Sequence, residues 1–336
     1  GGYALGNLTT ASYSTAVGHE ALNSVTTQGG NTAVGYLAGQ DLAAARNTLI
    51  GDSAGLQNTS GEDNIAVGYS AMGAGITTGS SNVAVGNSAL NSNTSGRNNV
   101  AVGYNAGKDS TTSSENVYVG YKAGEGNQGV ECVGIGYLAH TIASTGSGQP
   151  GNYNTCVGWK CGDGLTAGDN NIIIGHDAGH GTVGPYMNAE SNRVILGDGS
   201  ITNFYCYVSV TTGSDARDKA EQTDFSGGLD WVNAMQPITY KWDKRLNYIE
   251  GEVTKEAILA VVPDGTHKED SLEIGLSAQA VLAVEQANGY GSNNDTSLLV
   301  DDNEFGNYGM RYERLVPILI SAVKELSAKV EALENA

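Results

Sequence analysis

The chain has 336 residues, of which 40% are hydrophobic and 16% charged, and it carries a formal net charge of −19. This apolar fraction suffices for a folded protein of two or three domains. The negative charge argues against nucleic acid as a partner, because a polyanion repels phosphate backbones, and the sequence has no run of about 18 apolar residues that would insert into a membrane.

Glycine is distributed unevenly, and this divides the chain. Of the 48 glycines, 38 lie in residues 1–212. We predict a glycine-rich repeat array over residues 1–198, a neck strand and cleavage linker over 199–213, and a C-terminal domain over 214–336. The repeats are already in progress at Ala4-Leu5-Gly6, so we expect the sequence to be a fragment of a longer chain.

The array repeats the phrase N-x-A-V-G-x-x-A, and the glycines that end its A-V-G triplets, counted from Gly6, are mostly 16 to 18 residues apart. A fixed period of this kind is typical of stacked units that bury their faces only against their neighbours. Each phrase predicts a short strand, with Val83 and Val85 on one face and Ala84 and Gly86 on the other. We expect the branched residues to fill the interior and the small residues to face another copy of the chain.

Tyrosines follow several of these glycines and share the parity of the branched residues. Two interpretations are open, packing at the edge of the roll or a ladder on which sugars stack. The turn-forming segments between the strands predict loops, and the two longest repeats carry insertions there. The tyrosines are Tyr36, Tyr69, Tyr104, Tyr121 and Tyr137.

Metal and cofactor sites are not predicted. The four cysteines form no C-x-x-C pair, and Cys156 and Cys161 occupy slots that alanine fills in neighbouring repeats, which predicts small buried side chains. His176 and His180 are four residues apart but only within one repeat. The aspartates keep no register of the nonapeptides that a calcium-binding β-roll requires.

The repeat phrase is similar to the head repeats of trimeric autotransporter adhesins. That resemblance covers about 200 residues and implies a parallel β-roll wound in three copies, although the adhesin repeat is a few residues shorter. Virion fibres share the phrase, and no membrane-anchor barrel follows it in this sequence.

Residues 214–336 carry four motifs in order. They are Ser214-Asp215-Ala216-Arg217-Asp218-Lys219, a segment from Met235 to Trp242 with Pro237 and Tyr240, Ile274-Gly275-Leu276-Ser277-Ala278-Gln279-Ala280-Val281, and a final helix over about 310–334. This succession resembles the endosialidase-type intramolecular chaperone, the autoproteolytic C-terminal domain of bacteriophage tail fibres, tailspikes and neck appendages. Met235, Ser277 and Ala280 depart from that family's pattern.

The resemblance implies a single-turnover cleavage of the Gly213-Ser214 bond. Ser214 would be the nucleophile and Lys219 the general base, which requires a neutral lysine and therefore burial. Asp215 and Arg217 would hold the loop. No activity on external substrates is expected.

The final helix places Leu315, Leu319, Ala322, Leu326, Lys329 and Leu333 at alternating steps of four and three. This is a heptad pattern, and it predicts a coiled-coil seam between three chains. Lys329 would weaken the seam or extend outward.

Together these features predict a mainly β protein, in which a trimeric parallel β-roll precedes a small α+β chaperone domain and a coiled-coil helix. We expect a phage tail fibre or appendage located in the virion tail, whose chaperone domain acts in the host cytoplasm during assembly. Its partners would be two further copies, other virion tail proteins, and a glycan or protein receptor on the host. Two alternatives stay open, a tailspike with an upstream glycan-degrading domain and a cell-surface trimeric adhesin.

Overall fold

The computed structural model describes residues 1–75, 77–141, 151–163, 165, 167–179, 190–198, 201, 203–207, 214–249, 255–292, 296–302 and 308–336. The chain forms two compact units, Gly1–Phe204 and Tyr205–Ala336. Within the described residues, no helix is both long and apolar enough to cross a membrane.

The first unit is a parallel β-solenoid, which confirms the predicted fold class of this region. Each coil contributes one strand of three residues, and the strands pair in sequence order into one 11-stranded parallel sheet. The strands are β1 (Thr15–Val17), β2 (Thr32–Val34), β3 (Thr48–Ile50), β4 (Ile65–Val67), β5 (Val83–Val85), β6 (Val100–Val102), β7 (Val117–Val119), β8 (Val133–Ile135), β9 (Thr155–Val157), β10 (Ile172–Ile174) and β11 (Val194–Leu196).

A column of glycines sets the spacing of the coils. The glycine after each strand has positive φ, such as 134° at Gly18, and a Cβ built on Gly18 would lie 2.1 Å from the carbonyl oxygen of Gly35. A side chain at this position would therefore push neighbouring coils apart. Gly1, rather than the predicted Gly6, begins this column, since a Cβ on Gly1 would lie 2.5 Å from the carbonyl carbon of Gly18.

The middle residue of each strand points into the roll, so the predicted orientation of the strands was wrong. Ala84 is fully buried, whereas its neighbours Val83 and Val85 are only partly buried. The reason is the width of the interior. One short strand and the turn behind it leave room for alanine, and the branched residues are displaced to the outside.

Where the interior does hold a large side chain, glycine compensates for it. Leu49 and Tyr118 occupy middle positions and are fully buried. A Cβ added to Gly55 would lie 2.6 Å from Leu49 Cδ2, and one added to Gly124 would lie 2.2 Å from Tyr118 Cδ1. Large and small residues are therefore matched within the stack, as close packing requires.

A column of buried asparagines satisfies the backbone at the start of the strands. Asn99 Oδ1 accepts a hydrogen bond of 3.0 Å from the backbone N–H of Asn116, one coil further on. The amide group of Asn99 donates to the carbonyl oxygen of Ser113 at 2.9 Å. Cys132 replaces asparagine in one coil, where its N–H still bonds to Asn116 Oδ1 at 2.8 Å.

The loop insertions leave the strands in register, as predicted. The two long repeats lie between β8 and β9 and between β10 and β11, and both strand pairs remain parallel and aligned. The inserted segments 145–150 and 183–187 lie outside the described residues.

The second unit combines helices with two small antiparallel sheets. Its helices are α1 (Gly228–Ala234), α2 (Lys255–Ala260), α3 (Ala278–Ala287) and α4 (Leu315–Glu334). Its strands are β12 (Pro237–Tyr240), which pairs with β13 (Glu273–Leu276), and β14 (Val300–Asp302), which pairs with β15 (Tyr308–Met310). Trp231 of α1 is the centre of its core, packed with Val281, Leu299 and Ile318.

The neck is not a strand where the structure describes it. Residues 201 and 203–207 have no regular secondary structure, and Phe204 and Tyr205 are largely exposed. Residues 208–213 lie outside the described part.

His140 makes the stability of the array depend on pH. It is fully buried in a slot that Leu22 and Leu90 fill in other coils, and burial lowers its pKa from 6.5 to about 4. Between these pH values the unfolded chain takes up a proton that the folded chain does not. The free energy of unfolding should therefore fall by about 3 kcal/mol as the pH falls from 6.5 to 4. In His140→Leu, the free energy of unfolding measured with urea should no longer show this fall between pH 6.5 and pH 4. The same change of the free energy of unfolding with pH in both proteins would contradict the prediction.

Candidate functional site

The start of the second unit brings the predicted nucleophile and base together. Lys219 Nζ donates a hydrogen bond of 2.8 Å to Ser214 Oγ. The contact arises from a short 3-10 helix, Ala216–Asp218, which turns the chain so that residues five apart face each other. Gly213, the other half of the predicted cleavage bond, lies outside the described residues.

Asp215 and Arg217 fix this turn. Asp215 Oδ1 accepts the backbone N–H of Arg217 at 2.9 Å and its guanidinium Nε at 3.0 Å. The Arg217 hydrogen bonds lower the pKa of Asp215. The carboxylate is thereby committed to the turn and is separate from the serine–lysine contact.

Both Ser214 and Lys219 are exposed in the single chain. In this contact Lys219 Nζ is the donor and the hydroxyl oxygen of Ser214 is the acceptor. A lysine that accepts the serine proton has to be neutral, which requires removal from water. The single chain therefore holds the two groups within reach, and their desolvation requires a further surface.

Helix α4 presents an apolar stripe that is rotated from the predicted seam. Ala322 is buried and Leu315 packs against the core of its own domain, whereas Leu319, Leu326 and Leu333 are exposed. The exposed stripe follows steps of three and four residues. It consists of Val316, Leu319, Val323, Leu326, Val330 and Leu333.

The packing of α1 explains this rotation. A Cβ added to Gly228 would lie 2.6 Å from the carbonyl oxygen of Ile318 and from the backbone nitrogen of Ala322. Glu325 Oε1 accepts the N–H of Gly228 at 2.8 Å. Because α1 covers this side of α4, the side that stays exposed is the stripe centred on Val323 and Leu326.

Two features of this unit were not predicted from the sequence. Glu285 is fully buried, and its carboxylate accepts Ser297 Oγ at 2.7 Å and the N–H groups of Leu299 and Val300. Gly275 lets the Tyr312 hydroxyl approach β13, where it accepts the N–H of Leu276 at 2.9 Å. For the buried Glu285, the signal in the sequence was a glutamate among the apolar residues of a predicted helix.

The outward face of the solenoid sheet is mostly apolar, with threonine at the first position of β1, β2, β3 and β9. Branched residues at the first and third strand positions point away from the roll, and Val17, Ile50, Ile135 and Ile174 are among the exposed ones. Parallel sheets are ordinarily covered on both faces. The face that the sequence assigned to the interior is therefore the candidate interaction surface.

A column of aromatic rings borders this face. The rings follow the turn glycines, and five of them stack in an unbroken run with centroid distances of 5.3, 5.0, 6.0 and 4.6 Å and interplanar angles of 7 to 10°. We call the residues directly after the turn glycines the aromatic column. The stacked run is Tyr104, Tyr121, Tyr137, Trp159 and His176.

The histidine and cysteine side chains that the structure describes in the array pack against other side chains. His176 stacks on Trp159, and His180 lies outside the described residues. Cys156 and Cys161 are buried in alanine slots, as predicted. Among the described residues, no group of three or more His, Cys, Asp or Glu side chains could hold a metal ion.

Comparison with known proteins bears on the second unit. A family model described as chaperone of endosialidase matches residues 214–290. The match begins at Ser214, the residue in contact with Lys219. Neither the curated proteins nor the solved structures gave a match to this chain.

Glu285 should be essential for the stability of this unit. Glu285→Gln replaces one acceptor oxygen by an amide group that cannot accept the buried N–H or hydroxyl donors. The free energy of unfolding should fall by about 1–3 kcal/mol. Urea unfolding of the full chain would measure the loss, with Glu334→Gln at the exposed end of α4 as the control. An unchanged midpoint for Glu285→Gln would contradict the role.

Proposed function

We propose that this protein is a phage tail fibre or appendage protein whose C-terminal domain brings three chains together and then releases itself by cleavage at Gly213-Ser214. The observation that carries the proposal is the 2.8 Å contact between Lys219 Nζ and Ser214 Oγ at the first residue matched by the endosialidase chaperone model. The array would be the mature fibre and would contact the host receptor.

The cleavage would proceed through an ester. Lys219, once neutral, takes the proton of Ser214, and Ser214 Oγ attacks the carbonyl carbon of Gly213. The peptide C–N bond breaks, and its nitrogen becomes the free amine of Ser214. Water then opens the ester, leaving the carboxylate of Gly213 and restoring the serine hydroxyl.

Assembly supplies the timing of this reaction. The dyad is exposed in the single chain, so the lysine would lose its proton only after another surface covers it. Three associated chains provide such a surface. Release would therefore follow association, after which the separated fibre has no simple route back to single chains.

Three chains also satisfy both apolar surfaces. The stripe on α4 and the outward face of the solenoid sheet each need a partner, and a threefold arrangement places both against identical surfaces. Valine alternating with leucine in the stripe is the pattern that favours two strands in parallel coiled coils, so the stripe does not support the number three. The number three is supported by the similarity of the array to trimeric adhesin heads.

The glycan-degrading alternative has less support in the array. Glu62 and Asp63 are neighbouring acidic residues, but both bind Arg46, at 2.6 Å each. The hydrogen bond from Arg46 lowers the pKa of Asp63. A glycosidase acid requires a raised pKa, so this pair is not suited to that reaction.

Cleavage is tested by expression of the full chain. Denaturing electrophoresis should resolve pieces corresponding to residues 1–213 and 214–336. Ser214→Ala and Lys219→Met should each give one intact band, because either the nucleophile or the base is lost. Ser226→Ala, an exposed serine of the same unit, is the matched control and should still be cleaved. A single intact band for the unaltered chain would remove the proposal of self-cleavage.

The register of the helix is tested in the Ser214→Ala background, which keeps the helix attached. Val323→Asp places a charge in the exposed stripe and should shift the mass measured by light scattering from trimer towards monomer. Ala328→Asp, on a different side of the same helix, should remain trimeric. If the two variants behave alike, the stripe is not the contact between chains.

A further inference from the structure

The aromatic column is poorly suited to bind sugars. Sugars stack on the faces of aromatic rings, and in the run from Tyr104 to His176 each inner ring has both faces covered by its neighbours. What stays exposed is the ring edge together with the tyrosine hydroxyl. Such an edge suits a surface that offers hydrogen-bond acceptors beside apolar groups.

A second column runs along the opposite margin of the sheet face. It consists of the residue six positions before each member of the aromatic column, and this residue has positive φ in every coil, as at Arg46, Asp63, Ser81 and Glu115. These four side chains are exposed. We call this column the facing margin.

The size of a threefold assembly brings these two margins together. Packed sheets lie about 10 Å apart, so each wall of a three-sided prism would lie about 5 Å from the axis and be about 17 Å wide. That width is about five extended residue steps. The two margins are six residues apart along a chain that bends at both ends, so they coincide with the edges at which neighbouring walls meet.

Symmetry fixes which residues meet. In a closed ring each chain uses one margin towards one neighbour and the other margin towards the next. Rotation about an axis parallel to the stack involves no shift along it. Each member of the aromatic column therefore faces, at its own height, the residue six positions upstream in the adjacent copy.

The chemistry along this register is complementary. Tyr121 and Tyr137 would face Glu115 and Glu131, so that hydroxyl donors meet carboxylate acceptors. In the coil where the aromatic column carries Asp52, the facing margin carries Arg46, which also binds Glu62 and Asp63 of its own chain, so opposite charges would lie side by side.

From these observations we propose that the aromatic column is the seam between copies of this chain, with the side chain of residue i in one copy against residue i−6 in the next. The proposal rests on the threefold assembly proposed above and deepens it. The partner is a second copy of the chain, and the tyrosine hydroxyls donate to its acidic side chains.

Disulfide cross-linking tests the register. Asn87 of the aromatic column and Ser81 of the facing margin are exposed residues of one coil. The background carries Ser214→Ala, which prevents cleavage, and Cys206→Ser, which removes the exposed thiol. In this background, the double variant Ser81→Cys, Asn87→Cys should give covalent trimers on exposure to air. Dioxygen accepts two electrons and two protons from each pair of thiols that forms a disulfide. The three remaining cysteines are fully buried. Each single variant should give no covalent trimer.

The mismatched control combines Asn87→Cys with Glu115→Cys, two coils away and about 10 Å out of register. It should not cross-link, because a disulfide spans at most about 7 Å between Cα atoms. If light scattering reports a trimer but the matched pair fails to cross-link, or the mismatched pair succeeds, the seam is wrong and the threefold assembly stands. A monomer would overturn both.

A second measurement avoids new cysteines. Tyr121 and Glu115 lie on opposite margins of one coil, so any energetic coupling between them would arise between chains. Tyr121→Phe and Glu115→Gln should each raise the dissociation constant of the trimer, and the double variant should raise it no further than the larger single effect. Effects that multiply would overturn the proposed contact.

Discussion

The close stacking of turn glycines is the constraint on which the array depends. From Gly18 to Gly158, each turn glycine meets the carbonyl of the next coil at a distance that excludes any Cβ. The coils stay in parallel register through the eleven strands that the structure describes. The tight turn also narrows the interior. Alanine fits there, asparagine satisfies the backbone at the start of the strand, and glycine in a neighbouring turn makes room for larger residues such as Leu49 and Tyr118.

The narrow interior accounts for the exterior. Branched residues that find no space inside line one outer face, and the rings after the turns stack beside them because successive coils repeat at the spacing of a parallel sheet. A single chain thus completes its own core while leaving an apolar face uncovered. The repeats that build the core of the roll therefore also place branched apolar residues on its surface.

The second unit has the same character. Its core around Trp231 is closed, and α1 is fitted to α4 through Gly228. The opposite side of α4 and the Ser214–Lys219 contact remain in solvent. One chain therefore fixes the positions of Ser214 and Lys219 relative to each other and leaves both side chains exposed.

The pairing of Ser214 with Lys219 was implied by the resemblance to the endosialidase-type chaperone, since the spacing of the two residues alone is a weak signal. The sequence alone determined the solenoid, its period and the strand positions, because spacing and residue type are local information. It did not determine which strand face is internal. The alternation of side chains along a strand places Val83 and Val85 on one face and Ala84 on the other, but it does not say which face is internal. Only the width of the closed coil decides that alanine goes inside. Likewise, steps of three and four residues along α4 fit both the predicted seam, which includes Ala322, and the neighbouring stripe, which includes Val323. The packing of α1 against α4 at Gly228 decides that the second of these stays exposed. Tertiary structure settles such choices because they depend on the space left by residues distant in sequence.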